Sequence, residues 1–430
     1  REPELHALCR VAGNRGTAMQ RFYILAYPNE HPILDFSVMA DSDSNRGFFL
    51  TGNYWHIKGL EVCNAGDNGI KIEGSYNIIE QCIFHHNKDS GLQIGLSKDF
   101  ETNPGAIAAY NEVINCDSHN NTDAPKGANA DGFACKLCAG KGNSFKGCRS
   151  WENSDDGWDL YQDEYQVIIE DCWTWHNGDP AVAGNLADWG GNGNGFKLGG
   201  NSSYSAPHIA RRCVVFDHNY GNSNCKGFDQ NDNQDGITLY NCVSWANRYN
   251  YALNNDLPEN GGENHIVKNC VAFNPMLKDY SFCSNTIQSN NSWDITGVSA
   301  SADDFISIDV ALAKAPRQTD GSLPNNGFAK LKQGSDLIDK GVDVGLPFNG
   351  AAPDLGAYET GATITNKTVQ ARFADGLAAN KNSFTIIDIA GRSIGYNFTG
   401  NSAMTFHGSG VFIIEGKKIC AVDHLSSAKQ

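Results

Sequence analysis

The phrase NIIEQCIFHHNKDSGLQI, residues 77–94, decides the fold because close variants of it return along much of the chain. A short, mostly apolar run leads to Cys82, an asparagine follows five residues later, and Gly91 then opens an alternating triplet. Eight cysteines stand at this point of the phrase: Cys63, Cys82, Cys116, Cys148, Cys172, Cys213, Cys242 and Cys270. Six of them are followed five residues later by an asparagine: Asn68, Asn87, Asn121, Asn153, Asn177 and Asn247. A repeat of about 20 to 40 residues, running from about residue 50 to about residue 285, is typical of a solenoid.

Each repeat contains short strands of alternating polarity separated by turn residues, without helical periodicity. We therefore predict an all-β fold, a right-handed parallel β-helix whose successive coils lie about 4.8 Å apart. Equivalent cysteines then stack inside as buried thiols, with disulfides or bound metal as the alternative. Asparagines stack at a turn, because asparagine tolerates left-handed backbone and hydrogen-bonds to neighbouring coils. The segment Cys135–Cys138, CKLC, has the spacing of a zinc or redox motif. On a strand its two ends point to opposite faces, and we assign it no function.

Outward-facing side chains can be aligned from coil to coil, because the first and third residues of each triplet are mostly large and apolar. The middle residues form one outward column: Lys71, Gln93, Ala134, Asp159, Lys197 and Asp229. The residues before the glycines form a second column: Asn68, Ser90, Asp131, Asp156, Asn194 and Lys226. In this alignment Asp131 lies beside Asp156 one coil away, and Asp155 and Asp159 flank the same place. Four carboxylates thus converge on one outer patch, with Lys197 one coil beyond Asp159.

Four carboxylates this close cannot all stay ionised without a positive counter-charge. A set of oxygen ligands without cysteine or histidine favours a hard cation, and calcium tolerates irregular geometry better than magnesium does. We therefore predict a calcium site at Asp131, Asp155, Asp156 and Asp159. The alternative is a solvated acidic face, the usual fate of a run of charges.

The overall charge limits the partners of the protein. The formal net charge of −16 argues against nucleic acid and anionic membranes, which bind basic surfaces. No apolar stretch of about 18 residues is present, so we expect no membrane insertion. The first residues, REPELHALCR, do not resemble a signal peptide. If the protein is secreted, or exported to the periplasm or cell surface, we expect that signal to have been removed. We expect a monomer.

Three motifs, in this order on a β-helix, resemble the family 9 pectate lyases among the polysaccharide lyases: NADGFACKL at residues 129–137, GCRSWENSDDGWDLYQ at residues 147–162 and GNGFKLGG at residues 193–200. The later PDLGAYE, residues 353–359, resembles the segment that closes many such β-helices. The resemblance covers roughly residues 20–360. It implies calcium binding by the same four aspartates and a catalytic base at Lys197.

The implied reaction is β-elimination in the galacturonate-containing backbone of pectin, either homogalacturonan (pectate) or rhamnogalacturonan I. Lys197 takes the proton from carbon 5, and calcium on the uronate carboxylate stabilises the developing negative charge. An acidic protein then meets an acidic polymer through bridging cations. Lys226 and Arg248, with Asp229, are the predicted substrate contacts, since arginine in particular pairs well with carboxylates.

Two other functions remain open at this point. A β-helical glycoside hydrolase of the polygalacturonase type also uses aspartates, but the Gly-His-Gly and Arg-Ile-Lys elements of those enzymes are absent here. A non-catalytic carbohydrate-binding β-helix would keep the ladders without needing a lysine in register with four aspartates.

From about residue 362 the repeats stop. We predict a catalytic β-helix domain at residues 1–361 and a small antiparallel β domain, resembling a β-sandwich, at residues 362–430.

Overall fold

The computed structural model describes residues 9–11, 16–97, 103–220, 225–257, 264–361, 385–388, 393–395 and 412–414. Short strands follow one another in groups of three, and each member of a group joins a different sheet. Within the coils all neighbouring strands pair in parallel. The chain therefore folds as a parallel β-helix, and the predicted all-β class is confirmed.

The first sheet has ten strands and carries the predicted site. Its strands are Cys9–Val11, Phe48–Leu50, Ile70–Ile72, Leu92–Ile94, Phe133–Cys135, Trp158–Asp159, Phe196–Lys197, Lys226–Asp229, Tyr249–Leu253 and Lys278–Phe282. The apolar residues of the glycine triplets point inward and are fully or almost fully buried, as at Phe133, Trp158 and Phe196. The middle residues of the triplets therefore project from the outer face of this sheet.

The other two sheets complete each coil. The second sheet contains Phe22–Leu25, Trp55–Lys58, Ile78–Glu80, Glu112–Ile114, Ser144–Lys146, Ile168–Glu170, Ile209–Arg211, Thr238–Tyr240, His265–Lys268 and Thr286–Ser289. The third sheet contains Ile33–Asp35, Glu61–Cys63, Ile83–His85, Asp117–His119, Arg149–Trp151, Trp173–Trp175, Val214–Phe216, Val243–Trp245 and Val271–Phe273.

The cysteines form the predicted internal ladder, with one correction. Among the described residues twelve cysteines are buried, and seven of them occupy equivalent places in successive coils: Cys82, Cys116, Cys148, Cys172, Cys213, Cys242 and Cys270. Cys63 is not a member, because it pairs with His85 and the ladder position of its coil is taken by Leu60. In this coil the cysteine stands three residues after the ladder position, so the prediction that Cys63 belongs to the ladder was wrong.

The asparagine ladder runs through Asn87, Asn121, Asn153 and Asn177, each of which accepts a hydrogen bond from the backbone N–H of the residue in the preceding coil. His218 takes the next place and Asn247 the one after. Asn68 lies outside the ladder, for the same reason as Cys63, and donates to Gln93 instead. Hydrogen bonds at every rung hold this turn at a fixed height along the solenoid.

A second core lies outside the coils. Trp175, Phe216, Trp245 and Phe273 stack in a row on the outer face of the third sheet. The segment 302–358 packs over them, with a 3₁₀ helix at Ala302–Asp304 and a short α-helix at Val310–Ala313. The end of this segment is the PDLGAYE stretch, whose Leu355 and Ala357 are buried there. It therefore covers an apolar face that the solenoid alone would leave exposed.

An arginine pair ties the same segment to the solenoid. Asp117 accepts hydrogen bonds from Arg149 in the next coil and from Arg317 in the covering segment. All three side chains are largely buried. Because Asp117 and the two arginines are desolvated, loss of one of these side chains would leave an uncompensated buried charge.

The residues described beyond residue 361 form three short strands: Thr385–Asp388, Ser393–Gly395 and Phe412–Ile414. They pair with one another in antiparallel fashion, and Ile414 also pairs with Tyr23 of the second sheet. The division into domains at residue 361 stays a prediction. No helix among the described residues is long and apolar enough to cross a membrane.

Candidate active site and metal centre

The register of the first sheet brings the predicted site residues together. Ala134 pairs with Asp159, Asp159 with Lys197, and Lys197 with Asp229. In the neighbouring column, Gly132 donates its backbone N–H to the carbonyl of Asp156, 3.0 Å away. The two outward columns therefore stand as the sequence predicts.

Asp131, Asp155 and Asp156 form a compact cluster, each offering one carboxylate oxygen within 4.8 Å of the others. Backbone N–H groups of the following coil fix two of them: Asn192 donates to Asp155 Oδ1 at 2.5 Å, and Asn194 donates to Asp156 Oδ1 at 2.7 Å. These two oxygens are held by backbone N–H groups of the neighbouring coil.

The same cluster is far more buried than the sequence suggests, with exposed fractions of 0–1%. Two loops meet above it, and Gly190 donates a hydrogen bond to the carbonyl of Lys126 at 2.8 Å. Trp189 lies between Gly127 and Gly191, where a Cβ on either glycine would come within 2.6 Å of the indole. The site is thus an enclosed polar centre on the outer face rather than an open acidic patch.

Two lysines reach into this centre, of which the sequence analysis identified one. Lys197 Nζ lies 3.1 Å from Asp156 Oδ2 and 3.5 Å from Asp159 Oδ1. Lys136 Nζ lies 2.7 Å from Asp131 Oδ2 and 3.3 Å from Asp159 Oδ2. Asp159 therefore contacts both ammonium groups, while the other three predicted ligands form the compact cluster.

Lys136 belongs to the CKLC segment, and the expectation that this segment is a strand was wrong. The strand ends at Cys135, and the next turn contains Leu137 and Cys138, which have φ angles of 59° and 54°. Both cysteines are buried. The turn directs the side chain of Lys136 to Asp131 and Asp159, so the residue of CKLC that belongs to the site is the lysine.

The charges of this centre do not balance. Four aspartates face two lysines, which leaves two negative charges uncompensated. Burial, together with the charges of Asp159 and Asp156, raises the pKa of Asp131 to about 8, although the two lysines oppose this. Burial and neighbouring carboxylates also raise the pKa values of Asp155 and Asp156. Asp131, Asp155 and Asp156 can therefore be ionised together only if a further cation joins them.

The donor set fits a divalent hard cation. Asp156 Oδ2 is buried, and within the described part of the chain its contact is the ion pair with Lys197 rather than an assigned hydrogen bond. An orphaned carboxylate oxygen in a cluster of three is the environment in which a calcium ion finds ligands. The surplus of two negative charges matches the charge of such an ion.

The remaining predicted residues lie farther along the solenoid. Lys226 Nζ pairs with Asp229 Oδ2 at 3.0 Å, and Asp229 adjoins Lys197 in the sheet register. Arg248 Nη1 lies 3.9 Å from the sulfur of Met276. Among the described residues, Arg248 makes no ion pair with the aspartate cluster.

Comparison with known proteins agrees with this geometry. The family described as Pel9A-like, right-handed β-helix region, matches residues 7–264. Pectate lyase L of Dickeya dadantii (strain 3937) is 41% identical over 342 residues, which cover 78% of this chain and 74% of that protein. The crystal structure of pectate lyase Pel9A superposes with a TM-score of 0.69 at 37% identity, over 82% of this chain and 86% of that chain.

A structure of a rhamnogalacturonan lyase also superposes, with a TM-score of 0.56 at 26% identity, over 72% of this chain and 79% of that chain. The family match extends over more than half of the sequence and confirms the right-handed parallel β-helix. The chain belongs to the Pel9A-like right-handed β-helix family, and it is a polysaccharide lyase.

Proposed function

We propose that this enzyme is a calcium-dependent pectate lyase that cleaves polygalacturonate by β-elimination, with Lys197 as the base. One observation carries the proposal: Lys197 lies within 3.1 Å of an aspartate cluster that has the donor set and the surplus charge for a calcium ion. The pectate lyases among its relatives support the choice of polymer.

The chemistry requires a base and a means of stabilising negative charge at carbon 5 of a uronate. Asp131, Asp155 and Asp156, with Asp159 beside them, are proposed to hold the calcium ion. When bound, calcium supplies positive charge that lowers the free energy of the charge developing as the carbon-5 proton leaves. Lys197 is proposed to receive that proton while a double bond forms between carbons 4 and 5 and the bond from carbon 4 to the glycosidic oxygen breaks. The departing oxygen is proposed to take a proton from water.

The two lysines differ in how fully their hydrogen-bonding capacity is used. Lys136 donates to the carbonyl of Asn129 and to the carboxylates of Asp131 and Asp159, so that all three of its N–H bonds have an acceptor. Lys197 has two carboxylate contacts among the described residues, at 3.1 Å to Asp156 Oδ2 and at 3.5 Å to Asp159 Oδ1. We therefore assign Lys136 to holding the carboxylates in place and Lys197 to proton transfer.

Lys197 must be neutral to accept a proton. Burial by itself would lower its pKa, but the neighbouring carboxylates outweigh burial and hold the pKa well above its usual range. The same carboxylates are the proposed calcium ligands, so they can stabilise the ammonium fully only while they are free of the metal. The protonation of Lys197 and the binding of calcium are therefore coupled through the same carboxylates.

The substrate is proposed to be an acidic polymer, which the protein, with its net charge of −16, meets through bridging calcium. Lys226, Arg248 and Asp229 stay predicted substrate contacts. A polymer of this size does not cross a membrane, so we propose action in the periplasm, at the cell surface or outside the cell, by a monomeric enzyme. Rhamnogalacturonan I is the second candidate substrate, because the rhamnogalacturonan lyase structure shares the fold at 26% identity.

The test is to incubate the protein with polygalacturonate and, separately, with rhamnogalacturonan I, with calcium or with a chelator. Elimination leaves a conjugated double bond that absorbs in the near ultraviolet, whereas hydrolysis does not. We expect a calcium-dependent rise in absorbance with polygalacturonate. A rise only with rhamnogalacturonan I would reassign the substrate, and chain shortening without absorbance would indicate a hydrolase. Activity that survives chelation would refute the role of calcium.

A further inference from the structure

Lys71 lies in the same outward column as the proposed base. It is the middle residue of the strand Ile70–Ile72, and its neighbours Ile70 and Ile72 point into the core. The register runs from Lys71 through Gln93, Ala134 and Asp159 to Lys197. Four inter-strand steps separate the two lysines, which corresponds to about 19 Å along the solenoid axis.

Lys71 is a buried lysine that has no ion-pair partner among the residues that the structure describes. It is 2% exposed, close to the 7% of Lys197, so both lysines lie at a similar depth below the surface. Among the described residues it forms no ion pair, although Lys136, Lys197 and Arg46 in the same region each pair with an aspartate. A desolvated ammonium without a counter-ion is unfavourable.

The electrostatic surroundings agree with this description. Burial lowers the pKa of Lys71 to about 7, and Arg46 adds to the lowering, whereas Glu73 and Asp89 oppose it. Both of these acidic groups already accept hydrogen bonds from backbone, Glu73 from Ser97 and Asp89 from Ser90. With a pKa of about 7 the Lys71 amine is only partly protonated at neutral pH, and a carboxylate brought beside it from outside would favour its charged form.

We infer that Lys71 binds the carboxylate of a uronate sugar about four residues away from the sugar that reacts at Lys197. The inference rests on the proposed function, because it needs an extended uronate polymer lying along the first sheet. A pyranose sugar in an extended chain advances by roughly one coil spacing, so one sugar aligns with one coil. A carboxylate there would pair with Lys71 in a charge-assisted hydrogen bond.

The experiment compares Lys71→Met with the wild type on two substrates: an octamer of galacturonate, which reaches Lys71, and a trimer, which does not. We expect kcat/KM for the octamer to fall at least about tenfold, mainly through KM, and the value for the trimer to stay unchanged. Lys71→Arg should keep most of the activity on the octamer. Lys146→Met, on a strand of the second sheet, is the matched control and should change neither value.

Two outcomes would overturn the assignment: an equal loss on both substrates, which indicates a structural role, or no loss on the octamer. If the wild type cleaves no galacturonan, the proposed function fails, and the role of Lys71 is judged by binding. For this arm, octagalacturonate is titrated calorimetrically in the Lys197→Ala background with calcium present. Affinity that is unchanged by adding Lys71→Met would refute the contact, and affinity that weakens about tenfold would support it.

Discussion

Replacing Asn153 by alanine should destabilise the β-helix by about 3–5 kcal/mol. The side chain of Asn153 is 1% exposed and takes part in five hydrogen bonds. Its amide group donates to Ser118, Ser150 and Asn177, and its oxygen accepts from the backbone and side chain of Asn121. Each lost bond contributes about 1 kcal/mol, and the buried backbone N–H of Asn121 left without an acceptor adds about 1–3 kcal/mol. Water entering the space recovers part of this total.

The assay is urea unfolding followed by tryptophan fluorescence, with the midpoint and the slope compared between variant and wild type. Asn254→Ala is the control, because Asn254 is exposed, and its change should stay within about 0.5 kcal/mol. Asn153 also precedes the turn that carries Asp155 and Asp156, so calcium binding by the folded variant should weaken as well. A loss below about 1 kcal/mol at an unchanged slope would refute the reasoning that the ladder holds this turn.

Three further outcomes are expected. Lys197→Ala should lower the elimination rate by about 10²–10⁴-fold while calcium affinity, measured by calorimetry, is kept or increases; loss of calcium binding would contradict its role as the base. Asp155→Asn should weaken calcium binding at least about tenfold because it removes a charged ligand, whereas Asp163→Asn, at a buried aspartate outside the cluster, should not. Burial would raise the pKa of Asp117, but Arg317 and Arg149 outweigh it and hold that pKa far below its usual range. The stabilisation that ionised Asp117 gives the folded state is therefore fully present above its unfolded-state pKa of about 4, and it is lost as pH falls toward its lower folded-state pKa. In Asp117→Asn the free energy of unfolding, measured by urea unfolding at several pH values, should therefore depend less on pH in the acidic range.

The position of the site could be predicted because each sequence repeat forms one coil of the β-helix. Equivalent positions of successive repeats therefore lie next to one another along the solenoid axis. A glycine triplet marks the same strand in every coil, so Asp131, Asp156 and Lys197 align once the triplets are aligned. The backbone pairings reproduce that alignment at each step. Local propensity contributes little here, and the repeat carries most of the information.

The failures have a common physical origin in the turns. Lys136 follows a strand, and its direction depends on left-handed backbone at Leu137 and Cys138, which no triplet pattern encodes. Cys63 matches the cysteine phrase in letters, yet a displacement of three residues places Leu60 in the ladder. The burial of the aspartates depends on two loops meeting above them, and loop contacts do not repeat from coil to coil.

The carboxylate cluster is also a product of stacking, since no single coil contains it. Asp131 comes from one coil, Asp155 and Asp156 from the next, and the backbone N–H groups of Asn192 and Asn194 that fix their oxygens from a third. In a solenoid each coil is stabilised mainly by its neighbours, so this geometry exists only when three adjacent coils are formed together. Local opening of any of the three would release at least one oxygen from its position. Conversely, a cation bound across two coils would resist their separation, which links calcium binding to the stability of this part of the helix.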